Sequence, residues 1–596
     1  MDVNQLKAAV ERVKAGKLPR RTFIARLVAL GLTAPAATQL LALSGAAHAQ
    51  TKRTYTPIKA GGGGTLKLLW WQGPTLLNPH FATGTKDQDG SRLFYEPLAA
   101  WDSQGELQPI LAAELPSTAN GGLSPDGKWV IWKLKQGVKW HDGQPFTTDD
   151  VVFNWAYSKD PATATVTSGS YNSITVTKID EFTVKITSDT PMGFWADAFV
   201  GAYGQIIPKH LFEAFSGSKS REAPTNLKPV GTGPYLFKEF RPGDLVSGTI
   251  NPSYHQPNRP YFDAVEMKGG GDATSAARAV LQTGEYDLSW NLQVEDEVLT
   301  RLEQSGKGKI RVTAGGNLEM IQLNNTDPNV EVDGERSSLK TKHPTLTDPA
   351  VREAMSLLID RDSIHKYIYG RGGPLTPNVL FNPVRFNSLN TKAEFNVDKA
   401  IGILDKAGYK PGADGIRVKD GKALKYVFQT STNGPRQKTQ QIVKQSFRKA
   451  GIDVELKSVV ASVFFSSDVA NPDTYPHFYT DLQMYTTGPL LPDPGAWMQL
   501  FLSTEAAQKS NKWQGRNITR WQNADYDAVY AKAMAALDPA ERASLMIKLN
   551  DMVINQIIVI PLVTRPSVAA VVNGLQCELS GFDSYIWDFA NWYKQA

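Results

Sequence analysis

The stretch from Leu424 to Leu456 restricts the fold more than any other part of this chain. Residues 424–430 read as a strand, 431–435 (Ser-Thr-Asn-Gly-Pro) as a loop, and 436–450 as a helix closed by Gly451. A second strand follows over 452–456. Strand, helix, strand in this order makes a βαβ unit, so the two strands are expected to be parallel with a right-handed crossover. The fold class that follows is α/β. Ligands of open α/β sheets sit beyond the carboxyl ends of the strands. Thr432, Asn433 and Arg436 are therefore candidates to border a cleft, although Arg436 reads equally well as an exposed helix-start residue.

A second segment, Trp132 to Phe153, carries three local devices in a row. Val130, Trp132 and Leu134 alternate with Ile131, Lys133 and Lys135, as in a strand with a wetter face. His141-Asp142-Gly143 is turn chemistry. Thr147-Thr148-Asp149-Asp150 is a capping-box helix start. The residue order resembles the signature of the family 5 extracellular solute-binding proteins, the oligopeptide, dipeptide and nickel-type receptors of bacterial ABC importers. Their pattern is Gly-Val-x-Trp-His-Asp-Gly-x-Pro-Phe-Thr-x-x-Asp-Val after a strand, and Gly137 to Val151 match it. Further landmarks agree in order: Phe94 to Leu98, Gln108 to Ala112, Val230 to Tyr235, Asn251 to Tyr254 and Gly284 to Asp287. Asp348-Pro349 opens a helix with Val351, Ala354, Met355, Leu358 and Ile359 on one apolar face. Asp360-Arg361-Asp362 after it reads as a helix-end salt-bridge cluster. Asp538-Pro539-Ala540-Glu541 begins another capped helix, which runs into the buried strand Ile557 to Leu562.

Charge separates the chain into two parts. The formal net charge is +5, and the first 49 residues carry all of it, so the remainder is neutral. A neutral body does not look like a nucleic-acid binder. Residues 1–49 read as an export signal, with Arg20 and Arg21 resembling a twin-arginine pair and Ala47 and Ala49 at the positions read by signal peptidase. An ordinary secretory signal is the neighbouring alternative. No cysteine follows the apolar run, so no lipid anchor of the lipoprotein type is expected. The single cysteine, Cys577, excludes an intramolecular disulfide.

The resemblance implies a two-lobed periplasmic-binding-protein-like fold of the class II type, with an extra subdomain inserted in the first lobe. The expected parts are a signal at 1–49 and a linker at 50–64. The first lobe takes 65–100, the inserted subdomain 101–205, and the first lobe again 206–313 and 561–596. The second lobe takes 314–560. The resemblance also implies capture of a peptide or small polar solute by hinge closure, and delivery to a membrane permease driven by ATPase subunits. A monomer in the periplasm is expected, with no cofactor and no metal. The ligand-lining residues it implies are Trp71, Gln72, Tyr95, Asn324, Asn433, Arg436, Tyr485, Thr486, Asp493 and Trp497. In peptide-binding members an aspartate that pairs with the ligand's ammonium stands three positions before the acid of an acid-Pro step. Here Leu490 occupies that place before Asp493-Pro494. A standard free-amino peptide is therefore in doubt unless Asp493 substitutes. No paired histidine site and no Gly-x-Ser-x-Gly elbow occurs. An exported hydrolase, a sensor, and a haem or metal scavenger are the rival readings.

Overall fold

The computed structural model describes residues 57–82, 84–465, 471–489, 491–511, 513 and 515–595. The signal residues Arg20, Arg21, Ala47 and Ala49 lie outside them, as does Leu490. The chain divides into two compact units. Among the described residues, one holds 316–566, and the other holds those up to 315 together with those from 567 on.

The 316–566 unit is built on a five-stranded sheet. Its order is Asp453–Val459, Lys425–Ser431, Leu482–Thr487, Leu318–Leu323, Val559–Thr564. The βαβ expectation holds: Lys425–Ser431 pairs parallel with Asp453–Val459, and the helix between them is Gly434–Lys449. Leu318–Leu323 runs antiparallel to both of its neighbours. Its pleat divides two cores. Ile321 and Leu323 pack with Met355, Phe428 and Phe447, whereas Leu318 and Met320 pack with Trp497, Met546 and Leu549. Period-two alternation in one strand thus fills both faces of the sheet. The helix Pro349–Leu357 starts as expected, with Asp348 accepting from the Ala350 amide and Pro349 in the first turn. All five residues of its predicted apolar face are buried.

The other unit centres on a seven-stranded sheet. The order is Gly308–Thr313, Ser567–Val572, Leu288–Ser289, Thr65–Leu69, Ala264–Lys268, Leu245–Ile250, Tyr235–Arg241. Beside it stands an antiparallel trio, Trp129–Lys133, Thr183–Thr187 and Thr175–Lys178, with the helix Thr148–Lys159. That helix carries the predicted capping box between Thr147 and Asp150. The sequence landmarks of this unit meet one another. His141 Nδ1 accepts from the Gly231 amide at 3.1 Å, and its Nε2 lies 3.0 Å from Gly233 O. Burial holds this imidazole below its usual pKa, in keeping with a neutral ring that both accepts and donates. Glu96, fully buried, accepts from Thr232, Tyr254 and His255. A Cβ at Gly231 would stand 1.8 Å from Phe94 O, so only glycine fits there.

Three expectations are corrected. The glycines of the expected linker are docked: Gly61 and Gly63 donate to Pro260 O and Tyr261 O, and Gly62 and Gly64 donate to Asp263. The expected boundary after residue 560 falls inside Val559–Thr564, which is laddered into the sheet of the 316–566 unit, so the crossing comes after Pro566. Asp360-Arg361-Asp362 does not form the expected helix-end salt-bridge cluster among the described residues. Arg361 turns inward and donates to Pro561 O at 2.7 Å, and Asp360 caps the helix Arg361–Ile364.

Candidate functional site

The carboxyl edge of the five-stranded sheet gathers the ends of four strands and the start of Leu318–Leu323. Asn433 caps the helix Gly434–Lys449 by accepting from the Arg436 amide at 3.2 Å, so the first helical turn opens at that edge. The cap fixes the backbone from which Arg436 projects. Arg436 Nε donates to Glu319 Oε1 at 3.0 Å, Nη1 to Ser431 Oγ at 2.8 Å, and Nη2 to Thr486 Oγ1 at 2.9 Å. Thr486 donates in turn to Glu319 Oε2 at 2.6 Å. The strand register explains the meeting. Glu319 lies directly opposite Thr486, and cross-strand partners share a face of the sheet.

Glu319 is 1% exposed, whereas the Arg436 side chain keeps 13% of its surface. A buried carboxylate is tolerable only when paired and hydrogen-bonded, and here both oxygens are occupied. The guanidinium has five N–H groups, and the three bonds above leave one on each terminal nitrogen. The plate is therefore held in one orientation with donors to spare. Close by, Arg565 lies over the Tyr369 ring at 4.7 Å. Burial, and next to it the charge of Glu319, push the Tyr369 hydroxyl up out of the normal range, while Arg565 and Arg436 oppose.

An aromatic cluster packs on the opposite face of the same strand. Tyr485 packs with Tyr475 at 5.1 Å and with Phe464 and Phe465 at 6.1 Å between ring centroids. Phe465 remains 45% exposed.

In the other unit, Trp71 and Gln72 follow Thr65–Leu69 at the corresponding carboxyl edge. Trp71 Nε1 donates to Asn291 O at 3.1 Å, and Gln72 is exposed. Asn291 itself has φ 56, a left-handed conformation that asparagine tolerates better than most residues. Trp70 and Trp290 stack beneath, with centroids 5.8 Å apart.

Of the ten residues expected to line a ligand, Asn433, Arg436 and Thr486 thus come together around Glu319. Tyr485, next to Thr486 in sequence, pairs with Met320 and so faces the other side of the sheet, where it is 7% exposed; Trp71 and Gln72 lie at the edge of their own sheet. Four more are corrected. Tyr95 has no exposed surface. Asn324 is wholly buried and spent on structure: its amide donates to Ser337 Oγ, Phe478 O and Thr480 O, and its oxygen accepts twice from Thr326. Trp497 is a core side chain, 4% exposed. Asp493 is clamped by Arg542, with Nε to Oδ2 at 2.6 Å and Nη2 to Oδ1 at 2.8 Å, and it also accepts from the Gly495 amide. It cannot serve a ligand ammonium while that fork is closed. Glu319 escaped sequence reading. Its one signal was a lone acid in the apolar run Leu-Glu-Met-Ile-Gln-Leu.

Residues 106–509 match the family description "bacterial extracellular solute-binding proteins, family 5 middle". This chain is a family 5 solute-binding protein. Within the family it is similar to the oligopeptide-binding protein AppA of Bacillus subtilis (strain 168), at 28% identity over 70% of this chain and 74% of the relative. It is 25% identical to the glutathione-binding protein GsiB of Shigella dysenteriae serotype 1 (strain Sd197), over 83% of this chain and 88% of that protein. Among solved structures, Bacillus subtilis AppA in complex with a nonapeptide superposes with a TM-score of 0.69 at 24% identity, covering 91% of this chain and all of the other. The two-lobed α/β fold of family 5 is thereby established for this chain. No helix among the described residues is long and apolar enough to cross a membrane.

Proposed function

We propose that this protein is the exported binding component of an ABC importer. It captures a peptide or peptide-like small polar solute by hinge closure and delivers it to a membrane permease served by ATPase subunits. It binds and releases without covalent chemistry, acts as a monomer, and reaches the periplasm by the twin-arginine route. On this reading 316–566 is the second lobe, and 65–315 with 567–596 is the first. The observation that carries the proposal is the Arg436 plate: an arginine oriented by Glu319, Ser431 and Thr486 at the carboxyl edge of an α/β sheet, with N–H groups left for a solute. Family membership and the oligopeptide- and glutathione-binding relatives support the same reading.

The test is native mass spectrometry of the mature protein isolated without denaturation, with extraction of whatever is bound. Adducts of a few hundred daltons or more that extract as intact polar solutes are expected. Turnover of the extracted solute by the pure protein would refute the non-catalytic reading. Conversion of Arg20 and Arg21 to lysine is expected to leave precursor in the cytoplasm, and unchanged export would assign the signal to the ordinary secretory route.

A further inference from the structure

We infer that the edge around Arg436 and Arg565 selects solutes that carry an anionic group, a carboxylate above all, and does not require a free ammonium. The inference rests on the receptor function proposed above and names the chemistry of the solute.

It begins from how the charges at this edge are partnered. Arg436 is electrically balanced, because Glu319 takes its Nε at 3.0 Å in a nearly sealed position. Arg565 is not. Among the described residues its side-chain partners are the Tyr369 ring at 4.7 Å and Gly372 O at 3.5 Å, a ring face and a carbonyl. Neither neutralises it. Arg565 directly follows Val559–Thr564, and its amide donates to Asn317 O at 2.7 Å, so it stands at the same edge as Glu319. Tyr369 lies within electrostatic reach of Glu319, Arg565 and Arg436 together, which ties the three charges to one place. The sum over them is one positive charge.

Two acids among the described residues that could have met a cationic solute are already engaged. Glu319 has both oxygens occupied by Arg436 and Thr486. Asp493 is forked by Arg542 in a buried pair. An ammonium brought to this edge would meet a net positive field, whereas a carboxylate would find an unneutralised guanidinium that can bind it in a fork. The helix Gly434–Lys449 opens here too, and its N-terminal dipole adds to the preference for negative charge.

Two peptide pools separate the alternatives. One is a mixture of N-acetyl tripeptides with free carboxylates. The other holds the same tripeptides with free amines and C-terminal amides. Binding of each to the cargo-free mature protein is read by native mass spectrometry and by thermal shift. The acid pool is expected to bind at least tenfold more tightly. Arg565→Gln should abolish that preference, and Arg565→Lys, which keeps the charge, should retain most of it. The thermal midpoint of each ligand-free variant reports whether it has folded. Equal binding of the two pools, or a preference for the amide pool, would overturn the inference and leave the receptor reading standing. An acid preference that survives in folded Arg565→Gln would overturn the assignment to Arg565. Failure of both pools to bind would count against the peptide-like solute itself, and the inference would fall with it.

Discussion

At the scale of single residues, the sharpest contrast is between Asp493 and Glu319. Both are buried acids gripped by arginine, but Asp493 sits in a closed fork and Glu319 holds an arginine that keeps surface. Asp493→Asn should therefore act on stability. Removing one partner of a buried pair leaves Arg542 uncompensated, at a cost of about 3–5 kcal/mol. Urea denaturation should show the loss, while the variant that remains folded binds cargo normally. Weakened binding with unchanged stability would return Asp493 to the ligand. Gly231→Ala presents a different case. Its methyl would overlap Phe94 O at 1.8 Å, so the backbone between two sequence landmarks must shift. A fall in thermal midpoint of several degrees is expected. The Gly-Thr-Gly-Pro and Trp-His-Asp-Gly landmarks thus serve as a clasp through His141, which accounts for their pairing without giving them a role at the site.

At the scale of elements, what could be read from the sequence was local. The caps at Thr147, Asp348 and Asp538 and the apolar face from Val351 to Ile359 depend on neighbours within one or two turns. The βαβ unit is nearly as local, and its strands pair in the parallel register expected of it. The errors arose where partners are remote. Asn324 is spent on carbonyls more than 150 positions away, and Asp493 on an arginine 49 positions on. A polar side chain in a loop gives no sign of such partners, and an aromatic one such as Trp497 reads alike as pocket or core. Arg436 was legible because a helix start after a parallel strand has one place to be. Glu319 was not, because its burial depends on register with Thr486, 167 residues later. The Asn433 cap offers a test at this scale. Asn433→Ala should cost about 1 kcal/mol, the usual worth of an N-cap. Because the same cap sets the start of the helix, cargo affinity should fall with it, as measured by calorimetric titration. Loss of stability alone would detach the cap from the site.

At the scale of the whole molecule, buried ionisable groups set how stability follows pH. Burial pushes Asp583 up to about 7 and Asp89 up to about 6. For a carboxyl raised on folding, the stabilising contribution is complete at low pH and is lost as pH rises through the folded value. Burial pushes His80 down to about 4. Its contribution is present above the ordinary histidine value of about 6.5 and is lost as pH falls toward 4. Between pH 8 and 6.5 the carboxyls dominate, so the thermal midpoint should rise on acidification. Asp583→Asn should flatten that rise, and a slope unchanged in the variant would show that other groups govern it. The central claim, that the Arg436 plate is where solute is held, has a more direct test. The double variant Glu319→Gln/Arg436→Gln removes both charges together and leaves no unpaired ion to unfold the lobe. Titration of the extracted cargo into it should show an affinity at least tenfold weaker, since a hydrogen bond from a charged group contributes about 1.5–3 kcal/mol. Wild-type affinity in the folded double variant would contradict the claim and move the site elsewhere on the chain.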